Sequence, residues 1–254
     1  MGELHHLNVG CADTSLIITD GIFLVDCHHR IDEYAHLLPS TKHLRGVFVT
    51  HQNRDHYSGL EFLRKQKYTI DCLIYSPYER RYGDASVTIE EWNEFEELRD
   101  YFKNNGTKLY APFRQDSWDK AYWDTNGVQF WMLGPMKSTA QADSRQLHDA
   151  CLVVKAHLGS RKCLFTGDAS DLNLQDVAGL NYICDDILHA SHHGSIEGAD
   201  LGFIKKCNAS YTVISTEAGV YENLPHPTAL KRYQENTKNK VYRTDQDDSL
   251  KWTF

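Results

Sequence analysis

The sequence lacks long apolar runs, and this absence argues against a membrane-spanning protein. Nowhere do about 18 apolar residues follow one another, which is the length that a spanning helix requires. The first ten residues also lack the basic segment and the apolar stretch of a secretion signal. We therefore predict a cytoplasmic protein that has no membrane partner.

Paired cysteines are also missing. The seven cysteines are odd in number, form no Cys-x-x-Cys pair and mostly lie within apolar segments. This pattern favours reduced, buried thiols over a disulfide framework or a zinc finger.

Basic residues are in deficit, because 27 Lys and Arg stand against 35 Asp and Glu and give a formal net charge of -8. Bulk binding of a polyanion needs Lys and Arg to displace counterions. The balance therefore argues against a broad nucleic-acid-binding surface and leaves only a local basic patch open.

The sequence also lacks segments typical of linkers between domains. No Pro/Gly/Ser-rich linker, internal repeat or low-complexity tract interrupts the 254 residues, and single α/β domains often reach about 250 residues. We expect one domain over residues 1–254.

Short β-type runs alternate with helical stretches, which predicts an α/β fold. Asp20-Gly21 lies between two apolar runs and favours a tight hairpin turn. The predicted strands cover residues 16–19, 22–25, 46–50, 72–75, 128–133, 150–156, 162–166, 183–189 and 211–215. The predicted helices cover residues 59–65, 88–102 and 228–235.

Histidine is abundant, at 14 of 254 residues, and its neutral imidazole is the commonest metal ligand. Four candidate ligands follow the predicted strand at 46–50 within six residues: His51, Asn53, Asp55 and His56. Imidazole and carboxylate suit zinc and similar divalent ions, and one turn supplies several ligands at little cost in closure entropy. This segment therefore predicts part of a metal site.

Two later segments repeat the order of a strand followed by ligand-type side chains. The strand at 162–166 is followed by Gly167-Asp168, and the strand at 183–189 is followed by His192-His193. A lone Gly-Asp is more often a turn than a ligand, so the recurrence is what indicates one site built from several strand ends.

These segments resemble the metallo-β-lactamase superfamily, whose signature is a strand followed by Thr-His-x-His-x-Asp-His and, downstream, a His, a bridging Asp and a final His. The closer resemblance is to the soluble metallohydrolase domain of ComEC-type competence proteins. It is carried, in order across nearly the whole chain, by Leu7-Asn8-Val9-Gly10-Cys11-Ala12-Asp13, Phe23-Leu24-Val25-Asp26, Leu133-Gly134-Pro135, Thr166-Gly167-Asp168, His192-His193-Gly194-Ser195, Asn223, His226-Pro227 and Val241-Tyr242-Arg243-Thr244.

The resemblance implies a four-layer αββα sandwich, an α/β fold with a binuclear metal site at one edge of two mixed sheets. The implied ligands are His51 and His148 for the first metal, Asp55, His56 and one of the His192/His193 pair (here taken as His193) for the second, and Asp168 as the bridge. ComEC-type domains usually have Asn at the position of His148, so the histidine here restores the ligand of the wider superfamily.

Asn53 departs from the motif, which requires a second histidine at that position. An amide oxygen binds zinc more weakly than imidazole does and suits oxygen-preferring ions such as Mn²⁺ or Mg²⁺. We expect Zn²⁺ or Mn²⁺ as one or two ions, with the first site weakened. Three outcomes follow: a binuclear enzyme with unusual metal preference, a mononuclear enzyme, or a protein that has lost activity. The intact second site favours an enzyme.

The resemblance further implies a hydrolase, and we predict a phosphodiesterase or nuclease that acts on nucleic acid or a nucleotide ester, in a defence or signalling system. A divalent cation lowers the pKa of its bound water toward about 7, so a metal-activated hydroxide would attack directly. Asp55 would orient this water or accept its proton, and His192 would protonate the leaving oxygen. The candidate substrate contacts are Ser195, Asn223 and His226, although His226 is equally well explained as a turn residue.

Two alternatives stay open. The same site could hydrolyse another ester, a thioester or a lactam. In the other alternative the chain is a binding or regulatory module in which Asn53 marks decay of the metal site. A protein partner or a homo-oligomer also stays open.

Overall fold

The computed structural model describes residues 2–125, 127–181 and 183–254. The strands in these residues, numbered along the chain, are β1 Glu3–His6, β2 Thr14–Ile18, β3 Ile22–Cys27, β4 His43–Leu44, β5 Gly46–Val49, β6 Thr69–Ile70, β7 Cys72–Tyr75, β8 Lys108–Tyr110, β9 Trp123–Thr125, β10 Val128–Gly134, β11 Val153–Leu158, β12 Arg161–Phe165, β13 Ile187–His189, β14 Tyr211–Ile214, β15 Lys240–Arg243 and β16 Leu250–Thr253. They form one seven-stranded sheet of order β16-β1-β2-β3-β5-β7-β8, a second of order β15-β14-β13-β12-β11-β10-β9, and the pair β4-β6.

Helices flank both large sheets. The α-helices are α1 Arg54–Tyr57, α2 Gly59–Lys65, α3 Ile89–Asn104, α4 Lys137–Ala140, α5 Asp171–Ala178, α6 Leu201–Cys207, α7 Pro227–Asn236 and α8 Thr244–Asp247. Short 3-10 helices cover His29–Leu37, Leu147–Ala150, Ser191–Gly194 and Ile196–Gly198. Within the described ranges no helix is long and apolar enough to cross a membrane.

The two large sheets pack face to face through apolar side chains. Phe130 of the second sheet contacts Phe23 and Phe48 of the first, with ring centroids 5.2 and 4.8 Å apart. On the outer face of the first sheet lie α2 and α3, and on that of the second lie α5, α6 and α7, each contributing buried apolar residues. The predicted four-layer αββα arrangement is therefore confirmed. The prediction of one domain over residues 1–254 stays a prediction.

Most predicted elements agree with the structure, but two strands begin later than predicted. The strand predicted at 150–156 begins at Val153, because the preceding residues form the 3-10 helix Leu147–Ala150. This helix is held by the Gln146 amide, which donates to Asp149 Oδ2 at 2.8 Å. The strand predicted at 183–189 begins at Ile187, because the backbone of Asp185 is left-handed, with φ of 80°.

Strand direction gathers the predicted site segments at one edge of the sandwich. β3, β5 and β7 run parallel in the first sheet, as do β12, β13 and β14 in the second, so their carboxyl ends lie together. β2 is antiparallel to β3 and β11 to β12, which brings the residues preceding β2 and β11 to the same edge. Loops at the carboxyl ends of parallel strands are where open α/β sheets bind ligands.

Gly167 lies in a crowded position at this edge. We expect Gly167→Ala to lower the free energy of unfolding by about 3–4 kcal/mol, because left-handed strain and overpacking add together. Its φ is +47°, and an added Cβ would overlap Thr50 Oγ1 and lie 2.9 Å from Cys151 Sγ. Thr50 cannot turn away freely, because its Oγ1 donates to Asp26 Oδ2 at 2.8 Å. Denaturant unfolding measures the loss.

The matched control is Gly106→Ala. Gly106 has φ of +95° and nothing within 4 Å of an added Cβ, so it should show only the backbone cost of about 1–2 kcal/mol. Equal losses in the two variants would contradict the crowding around Gly167.

Candidate metal centre

The first sheet supplies three ligand-type side chains from the turn after β5. His51 leaves the strand end, and the chain then turns into α1, whose first residues include Asp55 and His56. Asn53 precedes α1 but its side chain does not cap the helix. Its Oδ1 instead lies 3.0 Å from His51 Nε2.

The second sheet supplies Asp168 after β12 and His192 and His193 after β13. Both histidines have left-handed backbones, with φ of 53° and 52°, and Gly194 continues the reversal with φ of 79°. His193 Nδ1 donates to the carbonyl oxygen of Ser215 at 3.0 Å, which leaves Nε2 facing the site as the ligand atom. The unusual backbone thus turns one ring of the pair inward.

One set of side chains, called the second group, consists of Asp55, His56, His193 and Asp168. One ligand atom from each lies within 4.8 Å of all the others. His193 Nε2 is 3.2 Å from Asp55 Oδ2, and His56 Nε2 is 3.3 Å from Asp168 Oδ1. Two imidazoles and two carboxylates at these distances form a donor set that suits a divalent ion of the first transition row.

The other set, called the first group, consists of His51, His148 and Asp168, whose ligand atoms also lie within 4.8 Å of one another. Asn53 Oδ1 lies 3.2 Å from His148 Nε2, so the amide oxygen stands where the motif requires an imidazole. Asp168 belongs to both groups, with Oδ1 toward His56 and Oδ2 3.8 Å from His51 Nε2. This is the bridging position that the resemblance implies.

Solved structures share this chain path. The metallo-β-lactamase fold protein YhfI from Bacillus subtilis has a TM-score of 0.62 at 14% identity, over 99% of this chain and 100% of that one. This chain has the metallo-β-lactamase fold. No protein-family profile matches it, and neither does any curated protein sequence.

Two further proteins with the metallo-β-lactamase chain path differ in chemistry. CmlA, a diiron β-hydroxylase from Streptomyces venezuelae, has a TM-score of 0.62 at 11% identity, over 100% of this chain and 54% of that one. A diphosphatase of the PhnP family has a TM-score of 0.51 at 15% identity, over 96% and 85%. Such low identities establish the fold alone, and closeness to the ComEC-type domain stays a prediction.

Unsatisfied buried atoms show that the side chains of this metallo-β-lactamase fold site fit a cation. Among the described residues, His56 Nε2 and Asp168 Oδ1 are buried and lie 3.3 Å apart without hydrogen-bond geometry, so neither atom has a hydrogen-bond partner. Buried polar atoms are nearly always satisfied, because an unpaired one costs about 1–3 kcal/mol. A divalent ion between the two atoms would satisfy both. The structure therefore supports a divalent metal at the second group.

The surroundings shift the pKa values of the histidines in the two groups in opposite directions. Burial lowers the pKa of His51 and of His148, so both imidazoles are neutral, as metal ligation requires. Burial also opposes protonation of His56, but Asp168, Asp26 and Asp55 outweigh it and raise the pKa well above the ordinary value. Metal binding to the second group is therefore coupled to proton release.

The two carboxylates of the second group are ionised for a related reason. Burial opposes ionisation of Asp168, but His193, His56 and His192 outweigh it and hold its pKa well below the ordinary value. Burial likewise opposes ionisation of Asp55, and His56 and His193 outweigh it, so the pKa of Asp55 is also held well below the ordinary value. Both carboxylates therefore present charge to a cation.

Sequence reasoning gave no role to two buried carboxylates behind the ligands. Asp26 Oδ2 accepts from His56 Nδ1 at 2.9 Å and from Thr50, and so fixes which ring nitrogen of His56 faces the site. Asp13 lies 3.4 Å from His189 Nε2 and 3.8 Å from His193 Nδ1. Asp26, like Asp168, is an acidic residue at a strand end. This pattern could have marked Asp26 as a candidate site residue in the sequence.

The remaining predicted site residues are placed less directly. His192 is partly exposed, with Nε2 3.8 Å from Asp168 Oδ2 and its ring centroid 4.6 Å from that of His148. Ser195 Oγ accepts from the Glu197 amide, and His226 Nδ1 accepts from the Thr228 amide, so both side chains cap helices. Asn223 is exposed, with φ of 65°. Of these, only His192 lies beside the two groups of candidate ligands.

Proposed function

We propose that this chain is a metal-dependent hydrolase of phosphodiesters. The observation that carries the proposal is the shared carboxylate of Asp168, which joins two groups of imidazole and carboxylate side chains at one edge of the sandwich. Paired cation sites of this kind stabilise both the attacking and the leaving oxygen in phosphate-ester cleavage. The proposal is supported by a diphosphatase that has the same fold.

The side chains divide the chemical work. A divalent cation held by the second group would supply a water of lowered pKa and polarise a phosphoryl oxygen. Asp55 is about one-third exposed, so its carboxylate faces both the ligands and the solvent side, where it can orient the attacking water by accepting a hydrogen bond from it. His192, partly exposed beside Asp168 and His148, would donate a proton to the leaving oxygen.

The donor atoms predict different metal affinities for the two groups. The second group, with two imidazoles and two carboxylates, suits Zn²⁺ or Mn²⁺. The first group offers an amide oxygen in place of one imidazole, which weakens zinc binding and favours the harder Mn²⁺. We therefore propose one tightly bound ion at the second group and a weaker one at the first.

Hydrolysis of bis(p-nitrophenyl) phosphate by the purified protein, with Zn²⁺, Mn²⁺ or Mg²⁺, tests the proposal. Single- and double-stranded DNA, RNA and cyclic nucleotides complete the panel. We expect hydrolysis that EDTA abolishes, that His193→Ala removes and that His36→Ala, which changes an exposed histidine, retains. Metal binding without hydrolysis of any member of the panel would overturn the proposal and favour the binding module.

A further inference from the structure

A cleft of about 440 Å³ opens beside the second group. Asp55 forms part of its wall, together with Val9, Cys11, His28, Arg54 and Tyr221. Small-molecule sites have volumes of about 300–1,000 Å³, so this cleft has room for one compact group and not for a run of nucleotides. Because Asp55 also belongs to the second group, a phosphate at the metal centre would direct one of its substituents into the cleft.

The arginines of the cleft are already engaged by acidic residues. Arg54 donates to Glu94 at 2.7 Å and to Glu90 at 3.1 Å. Arg30 donates through Nε to Glu33 at 2.7 Å and through its NH2 to the same carboxylate at 3.2 Å. Grooves that bind single-stranded nucleic acid instead present unpaired cations along the backbone. Two further carboxylates, Glu91 and Glu217, line this cleft, so it disfavours a second phosphate.

The wall of the cleft also offers aromatic and apolar side chains for recognition of a substrate. Tyr221 and Val220 are 57% and 52% exposed on the loop after β14, and both line the cleft. Both side chains are uncharged, so they suit a flat aromatic ring better than a charged group. Stacking of a base on an aromatic side chain contributes about 1–3 kcal/mol per base. The rings of His28 and His29 lie 3.9 Å apart between centroids and add a second polar, aromatic surface.

We propose that this cleft binds a single nucleoside of a small phosphodiester, and that the substrate carries one phosphate between this nucleoside and the leaving group. The inference rests on the proposed function, because it assigns the substrate class of the same metal centre. Of the two predicted substrate classes, nucleic acid and nucleotide esters, the inference selects nucleotide esters.

Two chromogenic esters test the inference: thymidine 5′-(p-nitrophenyl) phosphate, which carries a nucleoside, and methyl p-nitrophenyl phosphate, which does not. We expect kcat/KM to favour the thymidine ester at least about 10-fold. Tyr221→Ala should lower this ratio about 10-fold, mainly through KM, and Tyr221→Phe should keep it. The matched control is Tyr82→Ala, which changes a fully exposed tyrosine on a different cavity and should leave the ratio unchanged.

Equilibrium binding supplies a readout that is independent of turnover. Thymidine 5′-monophosphate should bind the wild-type protein about 10-fold more tightly than Tyr221→Ala, and a ten-residue thymidine oligonucleotide should bind no more tightly than the mononucleotide. Tighter, strongly salt-dependent binding of the oligonucleotide would overturn the inference, as would equal hydrolysis of the two esters. Hydrolysis of bis(p-nitrophenyl) phosphate but of neither ester would also overturn the inference, whereas failure to hydrolyse these esters and every member of the panel would overturn the proposed function.

Discussion

Asp168→Asn is expected to remove metal from both groups and to lower kcat/KM for phosphodiester hydrolysis by more than about 100-fold. Loss of a supporting residue behind a ligand costs about 10–100-fold, and Asp168 is itself placed as a ligand of both groups. Its Oδ1 lies 3.3 Å from His56 Nε2 and 3.7 Å from His193 Nε2, while Oδ2 lies 3.8 Å from His51 Nε2. Asparagine keeps the size of the side chain and removes its charge.

Elemental analysis and steady-state kinetics on the same preparation measure both effects. Asp100→Asn is the matched control, because Asp100 is an exposed residue of α3 that pairs with Arg99 and lies outside both groups. Circular dichroism should show that both variants are folded. An Asp168→Asn protein with full metal content and wild-type kcat/KM would refute the bridging role.

Asn53→His is expected to raise zinc binding from about one ion per chain to two and to tighten the weaker zinc affinity by at least about 10-fold. The reason is that an imidazole replaces an amide oxygen beside His51 and His148, where Asn53 Oδ1 now lies 3.0 and 3.2 Å from their Nε2 atoms. Asn53 is partly exposed, so a larger ring has room toward solvent.

Zinc and manganese titrations by isothermal calorimetry measure this change. Asn53→Ala is the control, because it removes the amide oxygen without adding a ligand, and it should weaken the first group for both ions. The gain in Asn53→His should be larger for zinc than for manganese. An unchanged zinc stoichiometry would show that the first group is not limited by Asn53.

That several of the candidate ligands come together could be predicted from the sequence, because they follow a recognisable local pattern. A strand, a tight turn and a polar side chain recur at Asp55, Asp168 and His193, and parallel strands bring such ends to one edge. The hairpin at Asp20-Gly21 was predictable for the same reason, since turn chemistry is local.

The supporting residues could not be predicted in the same way. Asp13 and His189 come from different sheets and are distant in sequence, yet they lie 3.4 Å apart. Only the packing of one sheet on the other creates this contact. His192 and His193 have left-handed backbones and not extended ones, so an argument from the alternation of side chains along a strand could not decide which ring faces the second group.

Fold likeness also cannot decide the reaction. A diphosphatase and a diiron β-hydroxylase both share this chain path, because function resides in sites built on a common scaffold. The proposal of hydrolysis therefore depends on the donor atoms of the two groups and on the test with phosphodiesters.

Anomalous diffraction from crystals grown with Mn²⁺, and separately with Zn²⁺, tests the central claim most directly. The structure predicts a strong peak bound by Asp55, His56, Asp168 and His193 at about 2.0–2.2 Å, and for Zn²⁺ a weaker peak or none among His51, Asn53 and His148. Metal bound elsewhere in the molecule, with no peak at the second group, would contradict the assignment of a metal centre to this edge.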